Sequence, residues 1–151
     1  MRKKLFVLLC AGLFACIASC ACAQTVSCPE AHLSFNVPDS WRPVPLEGKA
    51  DPGLCLLLES EGLSLSVYVD DAGGFLPDAF QILTGGDTES KSVTYGGVKM
   101  TCVAGTGSEG DYRIYTWVDE QDQVQFYFLI TGTARSARGL IEDIMGSIEF
   151  D

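Results

Sequence analysis

Histidine and positive charge are what this sequence has least of. Among 151 residues there is one histidine, His32, and 10 Lys and Arg stand against 20 Asp and Glu. So few basic residues exclude a nucleic-acid partner, because little is available to displace the counterions of a phosphate backbone. The same shortage excludes charge-driven docking on anionic lipid head groups. Any Ser-His-Asp or Cys-His centre would have to use His32, which sits at the start of the body and reads as an exposed or capping residue. There is no C-x-x-C redox pair. The stretch Gly105-Thr-Gly107-Ser-Glu-Gly110 lacks the lysine and helix of a phosphate loop. Asp70-Asp71 and Asp119-Glu120-Gln121-Asp122 are acidic but follow no EF-hand spacing, and acids are ordinary at turns. Cys28 and His32 are four apart, yet Cys55 and Cys102 are the other sulfurs of the body, a poor spacing for converging zinc ligands. Neither a metal nor a cofactor is implied, and no catalytic set emerges.

What is there begins with an address. Met1-Arg2-Lys3-Lys4 is followed by an uncharged apolar run from Leu5 to Ser19 and then by small residues, the parts of a secretory signal over residues 1–19. The run is shorter than the ~20 apolar residues that span a bilayer; continued through Ala23, it could also remain as an uncleaved anchor. Ile17-Ala18-Ser19-Cys20 has the form of a bacterial lipobox, in which Cys20 is lipidated and becomes the new N-terminus. Leu13-Phe14-Ala15-Cys16 is a poorer copy, because bulky Phe14 takes a small-residue position. The rival site is Ala21-Cys22-Ala23, which would release Gln24 and a soluble secreted protein. Acyl chains on Cys20, palmitate among them, would hold the chain at a membrane, at about 0.8 kcal/mol per buried methylene. Residues 20–32 then read as the lipidated cysteine and a tether, and residues 33–151 as one domain facing away from the cytoplasm.

Removing Arg2, Lys3 and Lys4 from the 10 basic residues, with no acid lost from the 20, leaves 7 against 20, a net of −13. Such acidity favours solubility, and secondarily cationic partners. Of seven cysteines, Cys22, Cys28, Cys55 and Cys102 follow a lipidated Cys20. Four cysteines allow three pairings, and spacing does not choose among them. Cys55 and Cys102 lie in apolar strand-like runs, where buried free thiols and a bridge are both open readings.

The body alternates. Leu33 to Val37 has the strand period and ends at Pro38-Asp39-Ser40, with Trp41 following. Leu54 to Glu59 and Leu63 to Val69 form a hairpin around Ser60-Glu61-Gly62. Phe75, Leu76, Ala79, Phe80 and Leu83 recur at helical spacing, with Pro77 in the first turn and Gly85-Gly86 after the end. Ser92–Tyr95 and Val98–Ala104 pair across Gly96-Gly97, which supplies the positive φ angles of a tight turn. Asp111–Asp119 and Gln123–Thr131 pair next, and 134–147 is a second helix with Ala137, Leu140, Ile141, Ile144 and Met145 on one side. Ile148-Glu149-Phe150 closes the chain as a last strand. Hairpins plus two amphipathic helices make an α+β domain, with an antiparallel central sheet of about six or seven strands and two flanking helices. Aromatics lie on both faces of the strands after residue 90, so the second face is either covered or a binding surface. Trp41, Trp117, Tyr115 and Tyr127 are the candidate contacts for a ligand or partner, with core packing the competing reading.

The stretches LSFNVPDSWRPV, YGGVKMTCVAG, YRIYTWVDEQDQVQFYFLITGT and ARGLIEDIMGSIEF resemble small bacterial lipoproteins of the PsbP-like superfamily. The match covers Leu33 to Phe150 and lies in spacing: a first strand ending in Val-Pro and a Trp, a glycine hairpin, two long paired strands, and a helix running into SIEF. The resemblance implies an α-β-α sandwich and an accessory or binding role without shared catalytic residues. The expectation is therefore a non-catalytic lipoprotein outside the cytoplasmic membrane, binding an envelope protein or small ligand. A hydrolase or metal-binding enzyme in the same place, and a soluble disulfide-bonded secreted protein, are the alternatives.

Overall fold

The computed structural model describes residues 23–48, 51, 53–71, 88–131 and 137–151. Ten strands and one α-helix lie within them, in two antiparallel sheets. The chain begins with β1 (Ala23–Cys28), a 3-10 turn (Pro29–Ala31), β2 (Leu33–Pro38) and β3 (Arg42–Pro43). The hairpin β4 (Leu54–Ser60) and β5 (Leu63–Asp71) follows. Then come β6 (Glu89–Tyr95), β7 (Val98–Thr106), β8 (Asp111–Asp119), β9 (Asp122–Ile130), α1 (Ala137–Gly146) and β10 (Glu149–Phe150). The large sheet has seven strands in the order β3-β4-β5-β9-β8-β7-β6, and the small one has the order β1-β2-β10.

Each expected hairpin is present and in register. Glu61 and Gly62 turn between Ser60 and Leu63, Gly96 and Gly97 between Tyr95 and Val98, and Glu120 and Gln121 between Asp119 and Asp122. Gly96 and Gly97 take φ values of 55° and 81°, the left-handed pair that a two-residue hairpin needs. A side chain at Gly96 would also run into the Ile148 carbonyl oxygen at 2.9 Å, so glycine is required there twice over.

The described residues are mostly β, with one α-helix among them. The helix expected over 75–84 lies outside the described residues. A second sheet stands on the core face, and it uses sequence read as a tether. Ala23 to Cys28 pairs residue for residue with Pro38 to Leu33, and Cys28 and Ala31 are buried at 1% exposure. Residues 23–28, upstream of Leu33, are therefore part of the folded sheet. The run AQTVSC has only Val26 and Cys28 as apolar inward residues, too weak an alternation to announce a strand without its partner.

The core lies between the two sheets and α1. Leu33, Phe35 and Val37 of β2 point into it, as do Leu65 and Val67 of β5, Tyr115 and Trp117 of β8, and Val124, Phe126 and Phe128 of β9. Phe35 meets Phe126 edge to face at 5.2 Å between ring centres, and Trp117 stacks on Phe126 at 5.5 Å. The helix adds Ala137, Ile141, Ile144 and Met145, all buried at the 0, 4, 7, 8 spacing of one helical face. The opposite face of the large sheet carries a second buried cluster of Tyr68, Tyr112, Ile114 and Tyr127, with Leu54, Val103 and Leu129 against it. That face is buried, which decides between the two readings of its aromatics.

Two substitutions test this packing. Phe126→Ala should lower unfolding free energy by about 3–5 kcal/mol, since it removes the ring that both Phe35 and Trp117 pack on. Gly139→Ala should raise it by about 1 kcal/mol, because an added Cβ meets nothing within 4 Å and the helix gains propensity. Urea denaturation of both variants measures these shifts.

Candidate functional site

The four aromatic residues expected to meet a ligand are buried. Trp41 is 1% exposed, Tyr115 0%, Trp117 4% and Tyr127 8%. Trp41 follows the turn whose Trp41 N–H donates to the Pro38 carbonyl at 3.0 Å, and its own carbonyl accepts from Gln24 Nε2 at 2.8 Å. Tyr115 packs on Phe128 and Tyr95, and Trp117 on Phe126 and Phe150. Tyr127 belongs to the second cluster beside Tyr112. Trp41, Tyr115 and Trp117 pack in the core between the sheets and Tyr127 in the cluster on the opposite face, so the competing reading of packing is the structural outcome. Alternation alone could not distinguish the roles, since an inward-facing aromatic and a ligand-facing one have the same period. Cys20 lies outside the described residues.

A different group of residues meets at the edge of the core face. The register sets Lys91 beside Cys102, and Cys102 beside Tyr115. One step along, Glu89 stands beside Ala104, and Ala104 beside Arg113. Successive side chains of a strand alternate between faces, so these two cross-strand rows share the face that α1 covers. Where the aromatic core ends, they line a cleft of about 90 Å³ formed by Glu89, Lys91, Cys102, Ala104, Arg113 and Arg138, the last from the first turn of α1. Ala104 keeps it open, because a larger side chain there would fill the gap between Glu89 and Arg113.

Three cations therefore converge in a chain that has seven outside its first four residues. Glu142 of α1 restrains one of them: Arg113 Nη1 donates to Glu142 Oε1 at 3.2 Å, and the Tyr95 hydroxyl donates to Oε2. Arg113 is largely covered and Glu142 more open, so the pair orients the guanidinium while adding little stability. Counting Glu89 and Glu142, the cleft still carries a net positive charge. Sequence reasoning missed it because its members span 50 residues and four elements, and because overall acidity masked a local excess of the other sign.

The thiol on the cleft floor is Cys102, buried at 2% exposure. Burial pushes the Cys102 thiol up, away from the thiolate form that attacks. His32 caps the 3-10 turn in a left-handed conformation, with φ of 51°, and its N–H donates to the Pro29 carbonyl. The capping reading of His32 therefore holds. It lies beside the chain end, where the Asp151 N–H donates to its carbonyl, and it is absent from the cleft lining.

A shallower groove of about 360 Å³ runs over Ser92, Lys99, Thr101, Thr116, Trp117 and Gln123. A further cluster joins Cys28, Glu30 and Cys55, whose donor atoms all lie within 4.8 Å of one another. Two sulfurs and a carboxylate make three donors, one short of a closed zinc site. Among the described residues no helix is long and apolar enough to cross a membrane.

The cyanobacterial PsbP protein (CyanoP) of Synechocystis sp. PCC 6803 superposes over 89% of this chain and 95% of its own, with a TM-score of 0.62 at 16% identity. The fold is PsbP-like. A protein of Bacteroides thetaiotaomicron VPI-5482 aligns over 85% of this chain and 48% of its own at 14% identity, with a TM-score of 0.48, too slight to carry an argument. No protein-family profile matches the sequence, and no curated protein does. The PsbP-like fold agrees with the resemblance drawn from the strand spacing, and at this identity it speaks for the fold alone.

The PsbP-like sheet places a titrating phenol above the cleft edge. Burial and the Glu142 carboxylate push Tyr95 up to about 12. Its folded-state value lies above the ordinary one near 10, so the folded chain holds this proton more tightly. That contribution is intact below pH 10 and is lost as pH rises through about 12. Burial and Glu109 raise Tyr127 similarly, to about 12. Stability should therefore fall between pH 10 and 12, and Tyr95→Phe should flatten part of that fall. Thermal unfolding followed across this range is the check.

Proposed function

We propose that this chain is a non-catalytic extracytoplasmic binding module, held at a bacterial membrane through lipid on Cys20, that takes a small anionic group in the cleft of Lys91, Arg113 and Arg138. The observation that carries this is the convergence of those three cations in one small cleft of an otherwise acidic chain. A volume of about 90 Å³ suits a carboxylate or phosphate-sized group better than a drug-sized ligand. Arg113, fixed by Glu142, supplies a planar donor in a set orientation; exposed Lys91 and Arg138 supply steering and closing contacts. The PsbP-like fold supports an accessory role, and the basic, apolar and small-residue order before Cys20 supports export and anchoring.

Binding and anchoring separate experimentally. Inorganic phosphate and a short dicarboxylate should raise the melting temperature of the wild-type chain, and Arg138→Glu should weaken that binding by about ten- to a hundredfold, the value of a charged hydrogen bond. An unchanged response in Arg138→Glu would remove the cleft from consideration. Expressed in a bacterium, the wild-type chain should fractionate with membranes and carry a diacylglyceryl-sized mass increase at Cys20, both lost in Cys20→Ala. A soluble product beginning at Gln24 would overturn the anchor.

A further inference from the structure

Cys28 and Cys55 are 27 residues apart and belong to different sheets, yet their sulfurs are 3.3 Å from each other. Two local features bring them together. Cys28 ends β1 and is carried inward by the 3-10 turn that follows, at 1% exposure. Cys55 occupies an irregularity of β4: Leu54 pairs with Tyr68 and Leu56 with Val67, so Cys55 is the extra residue of a β-bulge. A bulge bends its strand and re-aims the side chain it carries. Here the Cys55 thiol donates to the Val67 carbonyl of the paired strand, 3.1 Å away, and its sulfur meets Cys28.

We propose that Cys28 and Cys55 form a disulfide that staples the small sheet to the large one. The three thiols of the described chain are free in this structure, so the bond would form by oxidation. A disulfide brings its sulfurs to about 2.05 Å, so the pair has about 1.2 Å to close. Cys102 offers no rival partner, because it lies in the core beside the cation cleft. A resident zinc ion fits less well, since Glu30 is exposed and the group stops at three donors.

The chemistry balances with an external disulfide as oxidant, such as oxidised glutathione or a protein disulfide. Partly exposed Cys55 attacks it as thiolate, one external thiol leaves, and a mixed disulfide stands on Cys55. Cys28 then attacks the Cys55 sulfur and expels the second external thiol. Two thiols of the chain are oxidised, one external disulfide is reduced to two thiols, and the two protons pass to those leaving thiolates. In the reduced pair, the hydrogen bond from Cys55 draws the Cys28 thiol down despite its burial. That hydrogen bond and burial push Cys55 up, so the first step draws on a small thiolate fraction and quickens as pH rises.

Formation of the bond in the cell rests on the extracytoplasmic placement proposed above; its formation in the purified chain does not. The full chain should therefore be taken both from cell fractions and, after reduction, from a buffer of oxidised glutathione. Each sample is blocked with an alkylating reagent and digested with trypsin without reductant. Cleavage at Lys49, Lys91, Lys99 and Arg113 puts Cys55 in residues 50–91 and Cys102 in residues 100–113, both separate from Cys28. The expected product joins residues 50–91 to the Cys28 peptide, survives Cys22→Ala, and disappears in Cys28→Ala. Reductant should lower the melting temperature of the wild-type chain by about 5–15 °C and leave that of the Cys28→Ala/Cys55→Ala double variant unmoved. Alkylated Cys28 and Cys55 after glutathione treatment would overturn the proposal. So would a linkage of Cys55 to Cys22 or Cys102, or stoichiometric zinc whose removal frees both thiols. A bond formed in glutathione but absent from cell fractions would uphold the pair and refute the extracytoplasmic placement.

Discussion

Everything else in this molecule is arranged around the burial of one stripe of aromatic rings on β9. Phe126 and Phe128 are fully buried, and β9 is the middle strand of seven. On one side its backbone pairs with β8, its neighbour in sequence; on the other it pairs with β5, some 60 residues earlier. The stripe is where local and non-local structure meet. The β8–β9 hairpin forms at low entropic cost, whereas β5 must be brought in across a long loop, a cost that burial of Leu65 and Val67 on the same face offsets. Among the described residues the small sheet shares no strand pairing with the large one, and it is held by this same stripe, through Phe35 on Phe126.

A sheet whose core face is partly roofed by a second sheet and partly by a helix must have a seam between roof and rim. The cation cleft lies at that rim. Along β6, β7 and β8 the inward positions are aromatic or apolar toward the centre and become Lys91, Glu89, Ala104 and Arg113 toward the edge, under the first turn of α1. The same strands thus supply core and site, and only distance from the centre decides which. The edge strand β6 is otherwise exposed, and its charges discourage pairing with another chain.

Electrostatics has the same economy. A chain with an excess of acids gains solubility almost anywhere its surface is acidic, so few constraints act on most carboxylates. Cations are the rare resource, and three of them sit together with one held by Glu142. The two sulfurs of Cys28 and Cys55 are a comparable concentration of scarce chemistry, brought about by a bulge and a 3-10 turn instead of by sheet register.

The sequence by itself determined the hairpins, their turns, the last helix and the PsbP-like order of elements. Those features rest on interactions between near neighbours: alternation along Leu63–Val69, positive φ at Gly96-Gly97, and the helical spacing of Ala137 to Met145. Only the tertiary structure decided the rest. That Ala23–Cys28 is a strand depends on β2 lying beside it, because its own alternation is weak. That Trp41, Trp117, Tyr115 and Tyr127 are buried depends on which layer covers each face of the sheet, which periodicity does not encode. The cleft and the sulfur pair assemble residues from distant segments, and a one-dimensional pattern carries no information about which distant positions share a face. Burial and register are properties of pairs of segments, so they become definite only when the chain closes on itself.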